Sequence, residues 1–116
     1  MQRKFRLTRS EDFKRVRRSG KSYAHPLVVL IVQAHDQPRV KVGVAAGRTV
    51  GTAVYRNRAK RLLREAMRPL IPNITSGLDL ILIARPGLTS ASLEEARQAL
   101  LTLLHRAQIV IPLNES

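Results

Sequence analysis

Arg39-Val-Lys-Val-Gly-Val-Ala-Ala46, followed past Gly47 and Gly51 by Ala53-Val-Tyr-Arg-Asn-Arg-Ala-Lys-Arg-Leu-Leu-Arg-Glu-Ala-Met-Arg-Pro-Leu70, is the stretch on which the fold turns. The first half alternates, with Val40, Val42 and Val44 on one side and Arg39, Lys41 and Gly43 on the other, as in a strand with one polar face. The second half has a helical period. With Arg56 set at 0° and an advance of about 100° per residue, Ala59, Leu62, Leu63, Ala66 and Met67 fall within one arc of roughly 140°. Asn57, Arg58, Lys60, Arg61, Arg64, Glu65 and Arg68 fill the complementary arc, and Arg56 lies at the border. Pro72 is expected to end this helix. Leu78 to Ala84, stopped by Arg85, Pro86 and Gly87, then supplies the strand that completes a strand-helix-strand unit.

Working outward, Leu27 to Gln33 is a β-branched run apolar on both faces, which predicts an inner strand, and His35 to Pro38 make the turn out of it. A further short strand is expected around Lys21 to Ala24. Thr8 followed by Glu11 fits a capping box for a short helix that carries Phe13 and Val16 to about Arg18, with Gly20 ending it. Before that helix, Gln2 to Leu7 lacks apolar periodicity and is expected to form an extended basic arm. At the other end Ser92 with Glu95 is a second capping box, and Leu93, Ala96, Leu100, Leu103, Leu104 and Ala107 recur at helical spacing. Residues 112–116 are expected to be a flexible tail. The order α-β-β-(β)-α-β-α implies an α+β fold, a two-layer sandwich with helices packed on a small central mixed sheet. At 116 residues the chain suits a single domain, 1–116.

The charge is lopsided. Twenty-one Lys and Arg against eight Asp and Glu leave +13, while 44% apolar residues indicate a folded domain rather than a basic tail. Residues 1–23 hold nine basic and two acidic side chains, 24–55 three and one, 56–68 six and one, and 69–116 three and four. The excess therefore lies in the N-terminal part and in one thirteen-residue block, which points to a polyanionic partner. With no Cys, a disulfide framework, a thiolate metal site and a Cys nucleophile are excluded, and a reduced, cytoplasmic setting is expected. Leu27 to Val32, the longest apolar run, is far too short to span a membrane.

Six cations and one anion, Glu65, share the polar face of the 53–70 helix, where they repel one another unless an external anion is present. Arg61 and Glu65 form its only i, i+4 pair. A phosphate backbone meets the need, because the planar guanidinium fork grips two oxygens. The plain alternative is a solvated surface helix. An interfacial membrane helix is disfavoured because the apolar face has no Trp or Phe to insert. The Gly43, Gly47 and Gly51 spacing is not a Walker loop, since Arg48 replaces the Lys and Val42 stands where another Gly is needed. These glycines are expected to shape a bulge and the turn into the helix, allowing close backbone approach to a nucleic acid. The eight carboxylates are scattered, and His25, His35 and His105 match no metal-ligand spacing, so neither catalytic nor metal-binding residues are assigned.

Gly43-Val-Ala-Ala-Gly-Arg-Thr-Val-Gly51 and the following Thr-Ala-Val-Tyr-Arg56-Asn57-Arg58-Ala-Lys60-Arg61-Leu-Leu-Arg64-Glu65 closely resemble the Arg-Asn-Arg signature of the bacterial ribonuclease P protein subunit. The likeness extends upstream to Glu11-Asp12-Phe13 and downstream to Asp79-Leu-Ile-Leu-Ile-Ala-Arg85 and Leu-Leu-His-Arg106. It implies a fold shared with the second domain of a ribosomal protein. By the same resemblance, the protein joins a large catalytic RNA that, with bound Mg²⁺, removes the 5′ leader of precursor tRNA. The chain would then be part of an endoribonuclease without carrying the chemistry itself.

Arg48, Arg56, Asn57, Arg58, Lys60, Arg61, Arg64 and Arg68 would be RNA-binding, with Asn57, Lys60 and Arg64 toward the leader and Arg58 and Arg61 toward the catalytic RNA. A cleft between the first helix and the sheet, with Phe13, Arg17, Val29 and Ile31, would receive the leader. The chain departs from the family in lacking the aromatics common at Arg17, Val28 and Ile31, and in having Thr49 where a second basic residue often follows Arg48. Two other classes compete. A ribosomal or other structural RNA-binding protein shares the size, charge and build. A DNA-binding module is disfavoured because no helix-turn-helix spacing or dimer seam is visible.

Overall fold

The apolar runs become the two inner strands of a four-stranded sheet, because only a strand covered on both faces can bury so continuous a run. The computed structural model describes residues 3–111. Its regular elements are α1 (Ser10–Ser19), β1 (Lys21–Ala24), β2 (Val28–Ala34), β3 (Val40–Ala46), α2 (Ala53–Met67), β4 (Leu78–Ala84) and α3 (Leu93–Arg106). Short 3₁₀ turns lie at Arg3–Phe5, Arg48–Val50, Arg68–Asn73 and Pro86–Ser90. The strand order is β1-β2-β4-β3. β2 runs antiparallel to β1 and β4, and β3 runs parallel to β4, the geometry that the α2 crossover between them requires. The expected element order, α+β class and additional strand at 21–24 are all present.

One face of the sheet carries most of the core. Val28, Leu30, Val42, Leu80 and Leu82 meet Ala59, Leu63, Ala66 and Met67 of α2 and Ala96, Leu100, Leu103 and Leu104 of α3. Each large side chain so buried contributes roughly 1.5–3 kcal/mol. α2 and α3 with the sheet are thus the expected two layers. On the opposite face α1 adds a partial third, with Val16 and Leu7 packed on Ile31 and Ile81.

α1 is held there by one buried carboxylate. Asp79 follows Leu78 in the apolar β4 run and is fully buried, yet it is well partnered. Its Oδ2 accepts from Arg15 of α1 at 2.7 Å, and its Oδ1 accepts from Arg39 at 2.8 Å. Arg15 also donates to Gln33 and, at 3.2 Å, to Asp12. His35 Nε2 stands 3.3 Å from Oδ1, while its Nδ1 accepts the Gln37 N–H, so Nε2 is the nitrogen that carries the proton of the neutral ring. Burial pushes the Asp79 carboxyl up, but the hydrogen bonds from Arg15 and Arg39 and the Arg39 charge outweigh it and hold the group below its ordinary value.

Four expectations need correction. The Thr8 capping box does not form: α1 starts at Ser10 with Arg9 as N-cap and no side-chain cap bond. Thr8 follows a residue committed elsewhere, since the Leu7 N–H donates to Val42 O at 2.9 Å and Leu7 is buried. The arm is likewise not extended throughout: Arg3–Phe5 form a 3₁₀ turn, and Arg6 pairs in parallel with Val42 along the outer edge of β3. Met1, Gln2 and the expected tail at 112–116 lie outside the described residues.

α2 stops at Met67 rather than Leu70, because Pro69 has no N–H to give the Glu65 carbonyl. Arg97 of α3 reaches the freed carbonyls of Glu65 and Ala66, each at 3.4 Å, and the chain continues as a 3₁₀ turn through Pro72. Finally, there is no bulge at Gly43. β3 pairs with β4 without interruption from Val40 to Ala46, and a Cβ on Gly43 would lie 2.5 Å from Phe13 Cζ. Glycine at this position lets the Phe13 ring lie on the strand. Gly51, at φ 135°, does shape the turn into α2.

Candidate nucleic-acid interface

Because α2 packs its apolar arc against β3 and α3, its polar arc is turned outward. Asn57, Arg58, Arg61 and Arg68 are exposed, while Arg56, Lys60 and Arg64 are half-buried, with stems against the domain. Arg48 is exposed in the turn before the helix. Glu65 pairs with Arg68 at 3.3 Å, not with Arg61, so the expected i, i+4 pair is replaced by an i, i+3 pair. Among the described residues, Arg48, Arg56, Arg58, Lys60, Arg61 and Arg64 have no acidic partner. Their charge remains available to an external anion.

Arg64 shows how unsatisfied this surface is. Among the described residues its buried Nε has no acceptor, and burial followed by the charge of Arg6 lowers its pKa. Arg6 comes close because the arm is paired onto β3. Between them lies a cavity of about 220 Å³ lined by Arg6, Thr8, Phe13, Val42, Val44 and Arg64. The cavity wraps around the sheet edge, so the Phe13 side of the molecule and the α2 side form one continuous surface.

The proposed cleft residues fare unequally. Phe13 is half-buried over Gly43, with part of its ring in this cavity. Arg17, one turn further along α1, is exposed, and Val29 is partly accessible. Ile31 is instead in the core beneath Val16, only 6% exposed, because α1 is drawn over it by the Asp79 contacts. Ile83 and Ala45 take its place: they share a row with Val29 in the sheet register and are partly accessible. The sequence reading omitted both, although the phase of Ile81 and Ile83 in β4 would have placed Ile83. Arg6 was likewise visible only as one charge in an arm.

What the fold and surface define is a small α+β protein with two adjoining basic faces joined around one sheet edge. The profile of the family described as Ribonuclease P matches residues 1–108. The ribonuclease P protein component of Herpetosiphon aurantiacus is 44% identical over 109 residues, covering 94% of this chain and 89% of the relative. That of Brevibacillus brevis is 39% identical over 111 residues, covering 95% and 88%. Among solved structures, the Staphylococcus aureus RNase P protein superposes with a TM-score of 0.80 at 25% identity, covering 91% of this chain and 97% of that one. The Thermotoga maritima RNase P protein gives 0.77 at 30%, covering 87% and 96%. The chain belongs to the ribonuclease P protein family. That membership favours ribonuclease P over the ribosomal alternative.

Proposed function

We propose that this chain is the RNA-binding subunit of a ribonuclease P ribonucleoprotein that removes the 5′ leader of precursor tRNA in the cytoplasm. Its partners are a larger catalytic RNA, met by Arg58 and Arg61, and the precursor tRNA, whose leader runs from the Phe13 cleft around the β3 edge toward Lys60 and Arg64. The observation that carries this is the array of α2 cations, all but Arg68 without a carboxylate partner among the described residues, continuous with the cleft through the Arg6 and Arg64 cavity. Among the described residues no helix is long and apolar enough to cross a membrane.

Hydrolysis belongs to the RNA and its Mg²⁺. Among the described residues, several carboxylates are engaged within the protein: Asp79 is turned inward to Arg15 and Arg39, Asp12 is shared with Arg15, Glu65 with Arg68, and Glu95 holds the α3 cap. Among the described residues no three His, Asp or Glu side chains converge as a metal site. In this reading the protein's contribution is to neutralise phosphate and to hold the leader. With few aromatics in the cleft, leader binding leans on charge, since a base stack that is missing forgoes about 1–3 kcal/mol. The test is reconstitution: added to a ribonuclease P RNA at moderate salt, the protein lowers the Mg²⁺ needed to cleave precursor tRNA. Unchanged cleavage, together with co-purification with ribosomal subunits, would contradict the proposal.

A further inference from the structure

Tyr55, in the first turn of α2, keeps 48% of its surface exposed. A lone exposed apolar side chain is ordinary on a protein surface, but Tyr55 is neither lone nor loosely held. A Cβ on Gly51 would lie 3.1 Å from Tyr55 Cβ, so the backbone at the turn is fitted closely under the base of this side chain. The Arg58 guanidinium lies over the ring, with Cζ 5.8 Å from its centroid, within cation–π range. On the same flank, Leu62 and the 40% exposed Leu93 line a shallow groove of about 230 Å³ edged by Arg58 and Arg61. Glu65 also borders it, with its charge taken up by Arg68. An apolar floor beside two cations that lack carboxylate partners among the described residues suits a nucleobase with its phosphate attached: the base meets the ring and leucines, and the phosphate meets an arginine. The flank lies on the α2 and α3 side of the sheet, whereas Phe13 and Val29 lie on the α1 side.

We propose that Tyr55, with Leu62 and Leu93, is a docking platform for an unpaired nucleobase of the catalytic RNA, distinct from the leader cleft. The proposal rests on the ribonuclease P reading above. It also accounts for where this chain keeps an exposed aromatic when its cleft has non-aromatic residues at Arg17, Val28 and Ile31.

The test is equilibrium binding of the full-length protein to ribonuclease P RNA across a salt series, for wild type, Tyr55→Phe and Tyr55→Ala, with thermal melting to show that each is folded. Tyr55→Ala is expected to weaken binding roughly five- to a hundredfold without changing the salt slope, because every arginine that meets phosphate is still in place. Tyr55→Phe is expected to bind like wild type. Equal affinity of Tyr55→Ala and wild type would overturn the platform. So would a Tyr55→Phe as weak as Tyr55→Ala, a loss confined to precursor tRNA, or a loss only of self-association. Wild-type protein that fails to bind the RNA at any salt would instead overturn the ribonuclease P reading itself.

Discussion

Arg15 on α1 and Arg64 on α2 stand on opposite sides of one sheet and meet opposite electrostatic surroundings. Arg15 bonds to Asp79, to Asp12 and to Gln33, and the hydrogen bond to Asp79 is the main reason its pKa is raised. Arg64 has a buried Nε with no acceptor among the described residues, and burial followed by the charge of Arg6 lowers its pKa. Two arginines of similar sequence setting, each on a basic helix, thus do different work: one fastens α1 to the sheet and the other is an open valence. Net charge alone does not separate them. The position of the few carboxylates does, because Asp79 and Asp12 sit where α1 must be fastened, while the outer face of α2 has only Glu65.

Asp79 is where the comparison can be broken most forcefully. Asp79→Asn leaves Arg15 and Arg39 facing a neutral group, and chemical denaturation should show a loss of about 2–3 kcal/mol from the two weakened charge-assisted hydrogen bonds. The acid limb of stability should change with it. Because the folded pKa of Asp79 is depressed, its contribution is present above the unfolded value of about 3.9 and is lost as pH falls below that. Asp79→Asn should therefore show a shallower fall in stability below about pH 4, and an unchanged acid limb would mean that Asp79 is not the group being titrated.

A matched pair sharpens the contrast between the arginines. Arg15→Met keeps the aliphatic stem but strips Asp79 of one donor, at a cost of about 1–3 kcal/mol in stability, with little change in RNA affinity. Arg64→Met should leave stability within about 0.5 kcal/mol of wild type, or raise it by relieving repulsion with Arg6, while weakening RNA binding. The same result from both variants would erase the distinction. The smallest expected effect concerns the caps. Ser92→Ala should cost about 1 kcal/mol, since both halves of its box form, at 2.8 and 3.1 Å. Thr8→Ala should be nearly neutral, because no side-chain cap bond is formed at the start of α1.

These pairs also show what could be read in the sequence. β2, β4 and α3 were legible because each satisfies its own pattern locally: a run apolar on both faces, a strand closed by Pro86 and Gly87, a serine and a glutamate three apart. The split of α2 into apolar and basic arcs was legible for the same reason. Thr8 was not, because Leu7 is claimed by Val42, a partner thirty-five residues away that no local motif records. Ile31 and Val29 share a face and alternate identically, yet only Ile31 lies under α1, and that depends on where Asp79 fastens the helix. A single acid inside an apolar strand was itself a signal, since a buried carboxylate demands cationic partners. Its partners Arg15 and Arg39 could not be named without the fold.

The central claim, that the partnerless cations of α2 are there for RNA phosphate, is tested most directly by the salt dependence of binding to ribonuclease P RNA. The slope of log affinity against log salt is measured for wild type and for Arg58→Ala combined with Arg61→Ala. Removing one arginine from a phosphate should flatten the slope by about 0.7 to 0.9, so the double variant should be shallower by roughly 1.5 while melting like wild type. An unchanged slope would mean that the α2 face is solvated surface and that the RNA lies elsewhere.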